Sequence, residues 1–282
     1  MTSIPSKCLL SLLLLTAFIG CTSKEPANPA AEIAVTSTYL QSAILDIYPD
    51  ANILCIASPG MCPGHFDLKP SQINQLRTSK ALLLFDFQKS LLDQLKRVEA
   101  DGLQCLTVTG RSGLCVPSTY LATCEEVAKQ LTSIYPAHSN EFQKNLAMLR
   151  QRLAEFNPQT SPSFRPFTDT PVVCSQHQAD FARWLGLRVV AEFHPSDAVT
   201  PPQIERCIQK ARTQNAKLII ANQQEGTDLA LSMAKRLNIQ VAVFSNFPRI
   251  SDPQNNFETL VRNNVKNLKK ALNPEIPDHA SP

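Results

Sequence analysis

The fold is decided by residues 138–156, HSNEFQKNLAMLRQRLAEF. Apolar residues fall at Phe142, Leu146, Leu149 and Leu153, with polar and charged residues between them. Spacings of four, three and four keep one apolar stripe on one side of an α-helix for about five turns. Pro158, Pro162 and Pro166 come next and break regular structure. A helix of that length, closed by a proline-rich segment, separates an N-terminal part of the chain from a C-terminal one. Both parts are therefore read outward from it.

Toward the N-terminus, short apolar runs alternate with helix-like segments. Asn52–Ala57, Ala81–Phe85 and Leu103–Val108 read as buried strands. Helices are expected from Pro70 to about Thr78, from Ser90 to Ala100, and from a Thr123 cap to about Tyr135. Toward the C-terminus the alternation restarts. Strands are expected at Pro171–Cys174, Leu187–Glu192, Lys217–Ala221 and Gln240–Phe244. Between and after them come helices at Gln178–Leu185 (closed by Gly186), Pro201–Gln214, Thr227–Leu237 and Asn255–Leu272. Strands alternating with helices imply parallel sheets covered on both faces. The expectation is an α/β chain of two lobes, 33–137 and 157–282 with a tail, joined by the helix 138–156.

The first residues read as targeting sequence. Lys7 is a weakly basic start, and Cys8–Ile19 is apolar but too short to span a bilayer. It ends in Ala17-Phe18-Ile19-Gly20-Cys21, and a small residue before Cys resembles a bacterial lipobox. Residues 1–20 are then a signal peptide, Cys21 a lipidated N-terminus, and the Pro- and Ala-rich 21–32 a tether. Ordinary cleavage nearby, with Cys21 a plain thiol, is the alternative. Lipid-anchored, the chain belongs on the periplasmic or outer face, touching the membrane through its anchor only.

Composition excludes several functions. The net charge is +3 and the Lys and Arg are scattered, so nucleic acid is not an expected partner. With 8 Gly and no GxGxxG or GxxxxGK pattern, no phosphate-cradling loop is available. No HExxH or nucleophile elbow occurs, and a Cys174–His177 nucleophile pair lacks an orienting third group. The chain is not expected to be an enzyme.

Three stretches carry a family resemblance. Pro63-Gly64-His65-Phe66-Asp67-Leu68-Lys69-Pro70-Ser71 resembles a P-H-x-(F/Y)-x-x-x-P-(S/T) segment, Phe181–Leu187 a helix end after a ligand, and Ala216–Asn222 a strand leading to a second-lobe loop. The chain thus resembles the zinc- and manganese-binding lipoproteins of ABC importers, the ZnuA/TroA-like solute-binding proteins. That resemblance implies a metal held between two lobes and delivery, as a monomer, to an ABC permease in the membrane. It makes His65 the first ligand. The other ligand positions depart from the pattern. Cys115 stands where the second His is expected, Ser175 near the third, and Ser245-Asn246 near the acidic fourth.

The residues offer a different donor set. Cys62-Pro63-Gly64-His65 and Cys174-Ser175-Gln176-His177 are both C-x-x-H, each after a strand, one per lobe. A two-residue gap lets one turn aim both side chains at one ion. With Cys115, the candidate ligands are Cys62, His65, Cys115, Cys174 and His177. Thiolate and imidazole suit zinc, and a thiolate-rich subset suits copper. The competing reading pairs these cysteines in disulfides, such as Cys62 or Cys115 with Cys174, or Cys105 with Cys115, on a ligand-decayed interaction or redox module. Cys55, Cys124 and Cys207 read as packing. His138 and His279 are expected in solvent. His194 could line the cleft, and Glu225 could replace the missing carboxylate.

Overall fold

The computed structural model describes residues 31–57, 68–158, 167–249 and 256–273. Cys21, Cys62, His65 and the signal-like segment lie outside the described residues. The described residues from 31 onward form one compact unit. No described helix is long and apolar enough to cross a membrane.

Two four-stranded parallel sheets carry the fold. The first contains β1 (Ile33–Val35), β2 (Ile53–Cys55), β3 (Ala81–Phe85) and β4 (Gln104–Val108), in the order β2-β1-β3-β4. The second contains β5 (Pro171–Ser175), β6 (Arg188–Phe193), β7 (Leu218–Asn222) and β8 (Gln240–Phe244), in the order β6-β5-β7-β8. The two orders are the same topology used twice. In each, the chain steps one way from its first strand and then returns to the other side. The reversal leaves a crevice at the carboxyl ends of β1 and β3, and another at those of β5 and β7. The central strands are mainly apolar because both faces are covered, with polar Ser175 and Asn222 only at the carboxyl ends of β5 and β7. β3 and β7 are buried at every residue.

The connecting helix, α5 (Ser139–Ala154), buries Phe142, Leu146, Leu149 and Leu153, the stripe that its spacing predicts. The helix before it, α4 (Pro117–Ile134), begins six residues ahead of the expected Thr123 cap. Pro117 sits in the first turn, where its missing N–H leaves nothing unsatisfied. Thr123 is interior instead, and its hydroxyl donates back to the Thr119 carbonyl at 3.1 Å. Neither β1 nor α1 (Thr38–Ile47) is among the expected elements. Three residues are too few to show a period, and α1 lies against the core on most of its surface. Ser37 caps it, its hydroxyl accepting from Leu40 N at 3.2 Å. The remaining helices are α2 (Pro70–Leu76), α3 (Ser90–Ala100), α6 (Ala179–Trp184), α7 (Pro201–Thr213), α8 (Asp228–Leu237) and α9 (Phe257–Leu272). Gly186 ends α6 with φ +85°, and its N–H bonds the Arg183 carbonyl at 2.9 Å.

One apolar core runs through both lobes. Tyr120 of α4 stacks on Phe257 of α9, with centroids 3.9 Å apart and planes 3° apart. Tyr39 of α1 meets both rings edge-on at 5.3 and 6.3 Å. The three rings are fully buried or nearly so. At their edge, the Tyr120 hydroxyl donates to Asp46 at 2.6 Å. Arg152 of α5 pairs with Asp46 and donates to Glu258 of α9 at 2.8 Å. Burial pushes the Asp46 carboxyl up against the pull of Tyr120 and Arg152. Aromatic packing and one shared arginine therefore tie α1, α4, α5 and α9 together.

Candidate functional site

The second-lobe crevice is built at the ends of β5 and β7. Asn222 closes β7, and its side chain accepts from Gln224 N at 3.3 Å, turning the chain into a short 3₁₀ segment, Gln223–Glu225. That turn delivers Glu225 to the crevice with its side chain only 8% exposed. Ser175, the last residue of β5, donates to one Glu225 oxygen at 2.6 Å. Asn222 Nδ2 donates to the other at 2.9 Å, and His177 Nδ1 pairs with that same oxygen.

These contacts set the charges. Burial alone would push the Glu225 carboxyl up. The bonds from His177, Ser175 and Asn222 outweigh it and hold the carboxyl below its ordinary 4.5. The same bond from Glu225 raises His177 above 6.5, against a smaller opposing effect of burial. With Nδ1 engaged, Nε2 is the nitrogen left for an incoming partner. The ring is 58% exposed. A carboxylate that fixes one ring nitrogen and leaves the other free is the arrangement that prepares a histidine for a metal ion.

A second polar cluster crosses between the lobes. The Cys115 thiol donates to the Ser245 carbonyl at 3.1 Å, and Asn264 Nδ2 approaches the same sulfur at 3.5 Å. Asn264, 2% exposed, also takes Ser245 N–H and donates to Ser245 O, each at 2.9 Å. Gln178 is fully buried and donates to Asn246 at 2.9 Å, while its own oxygen has no partner among the described residues. Replacing Asn264 with Leu strands the Ser245 N–H and takes away one of the two donors to its carbonyl. We expect a loss of about 2–3 kcal/mol in urea unfolding, and an unchanged midpoint would show these bonds to be dispensable.

The residues expected to hold metal are therefore distributed unequally. His177 stands in the crevice with Glu225. Cys115 is buried and committed to Ser245 and Asn264. Cys174 lies opposite Ile220 in β7, inside the apolar core, because alternation along β5 sends it away from the face that Ser175 presents. Burial pushes both thiols far up. Among the described residues, no three His, Cys, Asp or Glu side chains stand where they could hold one ion. The five-residue set is thus not assembled there. Cys62 and His65 lie outside the described residues. The disulfide reading fares no better for Cys115–Cys174 or Cys105–Cys115, since Cys55, Cys105, Cys115, Cys124, Cys174 and Cys207 are all free thiols. Cys115, Cys124 and Cys174 should resist iodoacetamide at pH 8 in the native protein and react once unfolded, which mass spectrometry of adducts will count. His138 bonds Glu141 at 2.9 Å at the front of α5. His194 lines a pocket of about 180 Å³ with Glu192, Arg206, Cys207 and Lys210.

Amides and hydroxyls at strand ends thus make up most of this region, and only the Asn222-Gln223-Gln224 turn stands out in the sequence. Neutral side chains carry no titration or spacing signature. Their clustering at Ser175–Gln178, Asn222–Glu225 and Ser245–Asn246, all after strands, is the available signal.

A family model described as zinc-uptake complex component A, periplasmic, matches residues 116–271. The chain belongs to this ZnuA family. Solved structures agree on the fold. A zinc-bound ZnuA deletion mutant aligns with a TM-score of 0.70 at 17% identity, covering 90% of this chain and 100% of its own. The laminin-binding adhesin of Streptococcus agalactiae gives 0.71 at 12%, covering 86% and 99%. The manganese-bound periplasmic metal-binding protein of Candidatus Liberibacter asiaticus gives 0.68 at 13%, covering 85% and 98%. A search of curated proteins found no match. ZnuA-family proteins are extracytoplasmic metal-binding components of ABC importers, and they serve transport rather than catalysis.

Proposed function

We propose that this chain is a lipid-anchored substrate-binding protein, tethered through Cys21, that captures a transition-metal ion at the cleft between its lobes and delivers it to an ABC permease. Zinc is the proposed cargo, with copper as the alternative. The observation that carries the reading is the His177–Glu225 pair at the β5–β7 reversal, the place where this topology binds ligands. Glu225 holds Nδ1 and His177 offers Nε2. Cys62 and His65 are the proposed donors from the first lobe. Cys115 and Cys174, the other sequence-level candidates, are better accounted for as packing.

The test is zinc and copper binding by the mature chain, followed by native mass spectrometry. One equivalent of metal is expected, lost in Cys62→Ser/His65→Ala and in His177→Ala. Absence of a stoichiometric ion under reducing conditions would defeat the proposal. A second reading has its own observation. The family's second, third and fourth ligand positions, Cys115, Ser175 and Ser245-Asn246, all spend their polar atoms on protein partners. That favours a ligand-decayed member that binds something other than a bare ion, and metal-free protein in the same experiment supports it.

A further inference from the structure

The pocket that His194 lines, of about 180 Å³, lies between α7 and β6, the edge strand of the second sheet. Its lining residues fall between Ala191 and Lys210, so one strand, one turn and one helix build it. Arg206 and Lys210 are four apart on α7 and line it from one side of that helix. Neither makes an ion pair with a described residue. Glu192, the acid in the lining, is paired with Arg183 of α6, and Asp197 of the same turn stays outside the lining. Burial pushes the Cys207 thiol up to about 11, so it is neutral. The Lys210 charge acts on that thiol, which places the ammonium near the pocket floor. Glu192, His194 and Cys207 do not converge on a position for one metal ion.

We propose that this pocket binds a small inorganic oxyanion with two negative charges, of the phosphate or sulfate class. Two cations remain once Arg183 has taken Glu192, and they match two charges. Arg206 supplies a planar fork for two oxygens, Lys210 a point charge, and His194 a ring N–H. The volume falls below the roughly 300 Å³ at which organic-ligand sites begin, so a carbon skeleton has little room. A flat cationic face would suit an acidic protein partner, whereas a small concave one suits a free ion. The inference is independent of the metal reading, because none of these residues belongs to the His177–Glu225 pair.

The experiment uses the full mature chain stripped of metal, in about 0.15 M salt, near the physiological screening length. Isothermal titration is run with inorganic phosphate, sulfate, glycerol 3-phosphate and citrate. At least one of phosphate and sulfate is expected to bind saturably with Kd below about 1 mM. Glycerol 3-phosphate tells a free ion from a headgroup, and both it and citrate are expected to bind about tenfold or more weakly. The variant R206Q/K210Q is expected to weaken the inorganic anion by about tenfold or more, with an unchanged circular-dichroism melt to show that it still folds. K129Q/K144Q removes two exposed lysines of α4 and α5 and should bind as the native chain does. No saturable binding of either inorganic anion overturns the proposal. So does native affinity in R206Q/K210Q, an equal loss in K129Q/K144Q, or glycerol 3-phosphate or citrate binding as tightly as the inorganic anions. Metal loss in His177→Ala is read separately, so failure here leaves the metal proposal standing, and the converse holds.

Discussion

Replacing Phe257 with Ala is expected to destabilise the protein by about 3–5 kcal/mol, the usual cost of emptying a buried aromatic site. Phe257 is 1% exposed, lies flat on Tyr120 at 3.9 Å, and meets Tyr39 edge-on at 6.3 Å. Neither tyrosine can move into the space. Tyr120 is fixed through its hydroxyl to Asp46 at 2.6 Å, and Tyr39 to the Leu114 carbonyl at 2.9 Å. The hole therefore stays open, and the full cavity penalty is expected. Because Phe257 belongs to α9 and the tyrosines to α1 and α4, the same change loosens the coupling between the lobes. Urea unfolding followed by near-ultraviolet circular dichroism and by Trp184 fluorescence should show one coincident transition in the native chain and two separated ones in the variant. Coincident transitions in F257A would mean that the lobes are held together by other contacts, with the Asp46–Arg152–Glu258 bridge as the leading candidate.

The second large effect is expected at the crevice. If His177 presents Nε2 to the metal while Glu225 holds Nδ1, then Glu225→Gln should weaken zinc about 10–100-fold, the range typical of removing a carboxylate behind a metal-bound histidine. His177→Ala should cost more, and the double variant little beyond His177→Ala, because the two residues act through one ring. An equal loss in both single variants, adding in the double, would mean that Glu225 touches the ion itself.

The pair also has a pH signature. The raised His177 pKa means that its share of stability is fully present below about 6.5 and is lost as pH rises through the folded value. The lowered Glu225 pKa means that its share is present above about 4.5 and is lost as pH falls through the folded value. The metal-free pair therefore contributes most between about pH 4.5 and 6.5, reduced by the solvent that reaches His177. Zinc affinity runs the other way, rising with pH as the competing proton leaves the ring. Titration of His177 by nuclear magnetic resonance should return it toward 6.5 in Glu225→Gln, and an unmoved value would remove Glu225 as the cause.

Much of this arrangement is legible in the residues. The 142, 146, 149, 153 spacing marks α5, and it works because one helix face buries against the core whatever surrounds it. The apolar runs 81–85 and 218–221 mark central strands for a similar reason, as both of their faces are covered. β1 and α1 escape because Ile33–Val35 is too short for a period and because α1 is packed on most sides, which erases the polar face that makes a helix visible. Cys115 and Cys174 mislead through composition. C-x-x-H brings two donors near each other along the chain, but it does not say on which side of a strand each one falls.

The sequence by itself determined the two-lobed parallel architecture and the connecting helix, because hydrophobic periodicity acts over a few residues, and its resemblance to known motifs pointed to the metal-binding family. The tertiary structure alone decided that Cys174 faces the core, that Cys115 spends its thiol on Ser245 across 130 positions of chain, and that Glu225 meets His177 and Ser175 across 48 and 50. The Cys174 and Glu225 placements arise from strand register at the β5–β7 reversal, where one residue of offset separates a buried thiol from a side chain at the crevice.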